Sequence, residues 1–146
     1  MDILETRRDN YLISTDPARL QLDVIHQFLS VNSYWAKGRD LETVKTSIAH
    51  SLCFGVYAGD RQVGFARVVT DYATFGWLCD VFVLEEQRGQ GLGKWLVETV
   101  VAHPALNSIK RLLLATSTAH ELYRRYGNFE LLSNPERWMA RMNPRA

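Results

Sequence analysis

At 146 residues and 16.7 kDa, the chain has the size of one domain, since domains mostly run to about 100–150 residues, and a second one is excluded. Hydrophobic residues at 47% and charged residues at 23% exclude wholesale disorder and a fibrous chain. A formal net charge of +1, from 17 basic and 16 acidic residues, removes any overall electrostatic case for a nucleic-acid or membrane-surface partner. The opening Met1 to Asp9 lacks the apolar run of a signal peptide and no stretch reaches the length of a membrane span, so a cytoplasmic location is expected. Cys53 and Cys79 sit in apolar runs without a Cys-x-x-Cys pair or neighbouring histidines. Both are expected to be buried free thiols, with no metal bound.

Tyr11-Leu12-Ile13-Ser14 reads as a short strand, and Asp16-Pro17 as an N-cap with proline in the first helical turn. Leu20, Val24, Ile25, Phe28 and Leu29 then recur at helical spacing up to about Asn32. A polar and aromatic connection, Ser33 to Arg39, leads to a second helix capped by Asp40 and carrying Leu41, Val44 and Ile48. Phe54 to Ala58 and Val63 to Val69 form a hairpin around Gly59-Asp60-Arg61, and Trp77 to Val83 is a largely buried strand. Leu96, Val97, Val100 and Val101 mark a helix closed by Pro104, and Arg111 to Ala115 is another buried strand. Thr118 and Glu121 have capping-box spacing before a helix through Leu122, Tyr123 and Tyr126, which Gly127-Asn128 ends. Trp138 to Met142 alternates as a last strand. The order β-α-α-β-β-β-α-β-α-β, with the last strand open to a split, predicts a mixed α/β sheet: antiparallel in front, parallel after the crossover at the glycine segment.

Three of the nine glycines fall within Gly89-Gln90-Gly91-Leu92-Gly93, between a buried strand and an amphipathic helix. A helix start leaves N–H groups unpaired and carries partial positive charge, so this arrangement suits a phosphate, with Arg88 and Lys94 adding charge. The nucleotide P-loop does not fit, because Arg88 stands five residues before Gly93 and Trp95 follows Lys94. The dinucleotide fingerprint fails on the uniform spacing of the glycines.

Arg88, Gly91 and Gly93 match Gln/Arg-x-x-Gly-x-Gly/Ala, and on that motif, the strand before it and the helix after it the chain resembles the GNAT superfamily of acetyl-coenzyme A dependent N-acetyltransferases. Ala119 and Tyr123 look like the family's late helix, and Gly127 and Phe129 like its closing Gly-Phe. The element order matches over roughly residues 11–142, so residues 1–146 are expected to form one such domain. Two departures stand out. Thr116 occupies a position where many relatives carry Asn, and Asn128 separates Gly127 from Phe129.

The resemblance implies direct acetyl transfer from acetyl-coenzyme A to an amine, with the pyrophosphate on backbone around Arg88, Gly89, Gln90, Gly91, Leu92, Gly93 and Lys94. It places the thioester carbonyl near Val81, Phe82 and Val83, with Thr116 beside the coenzyme. Tyr123 is the candidate acid, a phenol being protonated at neutral pH and able to protonate a departing thiolate. Asp80, the one acid inside the central strand, is the candidate base or a bonded carboxylate; His120 and a water chain stay open beside it. Tyr34, Trp35 and Arg39 are candidates for holding the acceptor, with Arg67 favouring an anionic group beside its amine. The acceptor is expected to be a small amine or amino-acid-like metabolite. Protein lysines or N-termini, and a non-catalytic acyl-coenzyme A binding module, are the alternatives. A homodimer paired near the C-terminus is one arrangement the resemblance suggests, with Trp138-Met139 as core the other. The neutral balance is also uneven: residues 1–109 carry 10 basic and 13 acidic residues, and residues 110–146 carry 7 and 3.

Overall fold

Strand pairing follows chain order. In the computed structural model, which describes residues 1–144, six strands lie side by side as β1 (Glu5–Arg8), β2 (Tyr11–Ser14), β3 (Leu52–Ala58), β4 (Arg61–Thr70), β5 (Phe75–Val83) and β6 (Arg111–Leu113). Neighbours are antiparallel except β5 and β6, which run parallel. That is the mixed α/β sheet expected, and the switch to parallel comes after the glycine segment. Helices α1 (Leu22–Gln27) and α2 (Leu41–Ala49) precede β3, α3 (Leu92–Val101) crosses from β5 to β6, and α4 (His120–Gly127) follows.

Alternation along the strands sends residues to two cores. Cys53, Phe65 and Phe82 pack with Ile25, Phe28, Leu29 and Val44 under α1 and α2. Phe54, Val56, Val68 and Leu78 pack with Trp95, Leu96, Val97, Val100 and Tyr123 under α3 and α4. Gly127 lets α4 approach α3 closely, because a Cβ there would meet Val97 at 3.0 Å. Asn128 takes the left-handed C-terminal position at φ 57° and turns the chain so that Phe129 lies edge-on to Tyr123 at 5.8 Å. The extra residue before Phe129 thus closes the helix.

Four local expectations are corrected. The helix expected from Asp16 to Asn32 is broken into a 3-10 turn at Pro17–Arg19, α1, and a π turn at Phe28–Asn32. Gln21 causes the first break: its N–H donates to Gln62 Oε1 at 2.8 Å and its Oε1 accepts from Gln62 N–H at 3.0 Å, which draws the chain out to the sheet. Ser30 and Ser33 hydroxyls bond the carbonyls of His26 and Leu29 in the second stretch. The Thr118 capping box does not form; Thr116 Oγ1 accepts from Ala119 N–H at 3.1 Å, and α4 starts without a side-chain cap. The strand expected at Trp138 to Met142 is absent, with Met139 97% and Met142 80% exposed: the sequence alternates there, but no neighbouring strand pairs with it. The unforeseen β1 supplies the sixth strand, its polar Glu-Thr-Arg-Arg held by pairing with β2 across a turn in which Asp9 is left-handed. Finally, Cys53 is buried and free as expected, but Cys79 is only half-buried.

Candidate active site

The parallel pairing of β5 with β6 ends at Trp77 and Leu113. Beyond it the strands diverge around a cleft of about 510 Å³ whose walls include Leu78 to Val81, Leu114 to Ala119 and Tyr123. At the same level β5 bulges against β4, since Cys79 faces Arg67 and Phe82 faces Phe65 with Asp80 and Val81 inserted between. Asp80 is left-handed at φ 53°, a conformation Asp adopts more readily than most residues.

The bulge places the Asp80 carboxylate, 2% exposed, among three donors. Trp35 Nε1 donates to Oδ1 at 2.9 Å, while Arg39 Nη1 at 2.8 Å and Arg67 Nε at 2.9 Å donate to Oδ2. Arg67 Nη1 also donates to Ser51 Oγ at 3.0 Å. One carboxylate therefore organises two guanidiniums and an indole, and it draws the Ser33 to Arg39 connection onto the sheet. Tyr34 continues that connection across the cleft, its hydroxyl oxygen accepting from Ser117 N–H at 3.0 Å. The Ser117 contacts hold the Tyr34 phenol below its ordinary pKa.

Tyr123 stands on α4, 8% exposed, in the cleft wall. Burial, with the Tyr34 phenol adding to it, pushes its pKa up to about 12, so it carries its proton throughout the neutral range. Its hydroxyl makes no hydrogen bond with a described residue. Cys79, also in the wall, has its thiol pushed up to about 11 by burial and is protonated at neutral pH. His120 is exposed at the first position of α4.

At the far end of β5 a 3-10 turn, Glu85–Gln87, leads through Arg88 into α3. Gly89 and Gly91 have φ of 85° and 78°, and a Cβ on either, or on Gly93, would meet no atom within 4 Å. The N–H groups of residues 89–94 have no partner among the described residues, Trp95 N–H being the first to bond within the helix, to Gly91 O at 3.1 Å. An open cradle lined by free N–H groups at a helix start fits a phosphate group. Arg88 is exposed and donates from Nε to Val83 O at 3.3 Å, whereas Lys94 lies over the Tyr126 ring at 5.3 Å. Tyr11 of β2 ties the loop down, its hydroxyl 2.7 Å from Gln87 Oε1 and 2.9 Å from Gln90 Oε1.

The structure thus brings Tyr34, Trp35, Arg39, Asp80, Val81, Thr116 and Tyr123 to one cleft, while Arg88 to Lys94 form a second feature further along β5. The Phe82 and Leu92 side chains belong to the cores, Phe82 stacking on Phe28 at 4.1 Å, so only their backbones face outward chemistry. Sequence reasoning missed Tyr11, whose partners lie 76 and 79 positions away; no local pattern carries such a contact. Among the described residues no group of three or more His, Cys, Asp or Glu could hold a metal, and no helix is long and apolar enough to cross a membrane.

Residues 49–127 match the family model described as an acetyltransferase (GNAT) domain. A Gibberella zeae protein assigned as an acetyltransferase is 33% identical over 138 residues, covering 80% of this chain and 77% of its own. A crystal structure from Xanthomonas campestris pv. campestris, assigned to the same family, is 48% identical with a TM-score of 0.88, over 93% of this chain and 95% of the other. A GNAT acetyltransferase from Elizabethkingia anophelis, solved with acetyl-coenzyme A bound, shares the fold at 18% identity and a TM-score of 0.58, over 80% of this chain and 72% of the other.

Proposed function

Because this chain belongs to the GNAT acetyltransferase family, we propose that it transfers acetyl from acetyl-coenzyme A directly to the primary amine of a small, amino-acid-like metabolite. The observation that carries this reading is the juxtaposition on β5 of a glycine cradle with free N–H groups and a cleft holding a protonated, unengaged Tyr123. Acetyl-coenzyme A bound to a neighbour of the same fold supports the choice of co-substrate.

Bound acetyl-coenzyme A supplies the acetyl group as a thioester. The backbone of residues 89–94 receives the pyrophosphate, with Arg88 adding charge, and the parting of β5 and β6 frees backbone N–H near Val81 and Val83 for the thioester carbonyl. The amine nitrogen forms the new bond to the acyl carbon as the carbon–sulfur bond breaks, and the Tyr123 hydroxyl gives its proton to the departing thiolate. The ammonium proton leaves to water in the cleft, and the Tyr123 phenolate takes a proton back from water, which restores the enzyme. Asp80, read as either the base or a bonded carboxylate, has both oxygens committed to Trp35, Arg39 and Arg67, so we assign it the part of a positioning residue. Thr116 differs from the Asn of many relatives; its hydroxyl oxygen accepts from Ala119 N–H, and its O–H is a donor on the coenzyme's side of the cleft.

We also infer a homodimer. Leu131, Trp138, Met139 and Met142 are exposed on the tail beyond α4, and β6 is an edge strand, so apolar surface and unpaired backbone lie uncovered in one copy.

The test is thiol release from acetyl-coenzyme A with a panel of primary amines, with product mass confirming one acetyl on nitrogen. Release that depends on both substrates and falls in Tyr123→Phe is expected. Coenzyme binding without turnover on any amine contradicts the reading and favours a binding module.

A further inference from the structure

We propose that the acceptor amine carries a carboxylate, which Arg39 receives beside Asp80. The inference rests on the N-acetyltransferase reading above and names the class of acceptor that the same cleft takes.

Charge decides the matter first. Arg39 and Arg67 are the basic residues of the cleft wall and Asp80 is its one acid, so the wall keeps one positive charge after pairing. Taken from water with no counterion, that charge is unfavourable, and a bound anion relieves it. The two arginines are not equivalent. Arg67, 12% exposed, gives Nε to Asp80 Oδ2 and Nη1 to Ser51 Oγ, which leaves only Nη2. Arg39 is more open at 23% and gives only Nη1 to Asp80, leaving Nε and Nη2 without a described partner. A guanidinium anchored at one nitrogen by a buried carboxylate presents its other donors in a fixed direction, as carboxylate recognition requires.

The surplus is a single charge, which matches a monoanionic carboxylate better than a dianionic phosphate. A diamine or polyamine is disfavoured, because no second acid lines the cleft to receive an ammonium. Tyr34, Trp35 and Trp77 provide apolar walls for the rest of the acceptor.

The test compares pH-independent kcat/KM of the wild-type enzyme for an α-amino acid, its carboxamide, the matching aminophosphonate and a linear diamine. The amino acid is expected to lead its carboxamide by about thirtyfold or more, the ratio for a lost partner in a hydrogen-bonded charge pair. In Arg39→Gln that ratio should collapse, through a rise in acceptor KM with little change in the KM for acetyl-coenzyme A. A carboxamide, phosphonate or diamine that equals or outruns the amino acid overturns the inference and leaves the N-acetyltransferase reading standing. An unchanged ratio in Arg39→Gln overturns the role of Arg39. Turnover with none of the four, although coenzyme A still raises the melting temperature, overturns the N-acetyltransferase reading and the inference with it. Should Arg39→Gln fail to fold, the wild-type ratio decides alone.

Discussion

Asp80 shows how much one side chain can organise. Its left-handed backbone makes the β5 bulge, and its carboxylate joins that bulge to Trp35, Arg39 and Arg67. Asp80→Asn should destabilise the fold by about 3–5 kcal/mol, because two guanidiniums would then share a buried site without a counterion; denaturant melts measure this, and a loss below about 1 kcal/mol would contradict it. Tyr123 differs in being held for its proton. With its pKa pushed up to about 12, it stays protonated as pH rises, so kcat/KM should climb with deprotonation of the acceptor amine and show no alkaline fall below pH of about 10. Tyr123→Phe should lower kcat by on the order of 10²-fold or more with the acetyl-coenzyme A KM nearly unchanged; a pH profile that falls above 8 in the wild type would contradict the assignment.

At the scale of elements, the β5 to α3 turn is the most readable part of the chain, since glycine spacing, the strand before it and the helical period after it agree. The Gly59 hairpin and the Asp16 and Asp40 caps are readable for the same reason: each depends on neighbours a few residues away, as in Asp40 Oδ1 accepting from Thr43 N–H at 2.7 Å. What the sequence hides depends on distant partners. The break after Pro17–Arg19 is caused by Gln62, and the positioning of the loop by Tyr11. Trp35 and Arg39 read as acceptor-side candidates, but their bonds to Asp80, 45 and 41 positions away, arise only because the β5 bulge turns its carboxylate toward them. Gly91→Ala should cost about 1–2 kcal/mol, because a side chain at φ 78° is strained, and it should raise the KM for acetyl-coenzyme A while sparing the acceptor KM. Steady-state kinetics with each substrate varied would separate the two, and an equal rise in both would contradict a dedicated coenzyme cradle.

Over the whole molecule, two helical layers clamp one sheet, and the coenzyme cradle and the acceptor cleft share its fifth strand. The positive excess of residues 110–146 is held in place rather than neutralised: Arg111 lies over the Trp138 ring at 5.4 Å and Arg125 over the Tyr126 ring at 5.7 Å, and only Arg124 pairs with an acid, Glu121. That charge adds a diffuse attraction for a polyanionic coenzyme to the local one of the loop and its N–H groups. The tail is the other feature of this scale, and its alternation of apolar residues reads as a strand although no partner strand lies beside it. Light scattering should give the mass of a dimer, and Met139→Glu, at a position 97% exposed in one copy, should return a monomer with its own fold intact; a wild-type monomer would contradict the homodimer.

The measurement that bears most directly on an acetyl-coenzyme A dependent enzyme is the melting temperature with and without coenzyme A. At a ligand concentration about 100-fold above Kd, the free protein should gain about 2.7 kcal/mol, or roughly 5–10 °C for a domain of this size, and the gain should shrink in Gly91→Ala. No rise in the wild type would contradict the account at its centre.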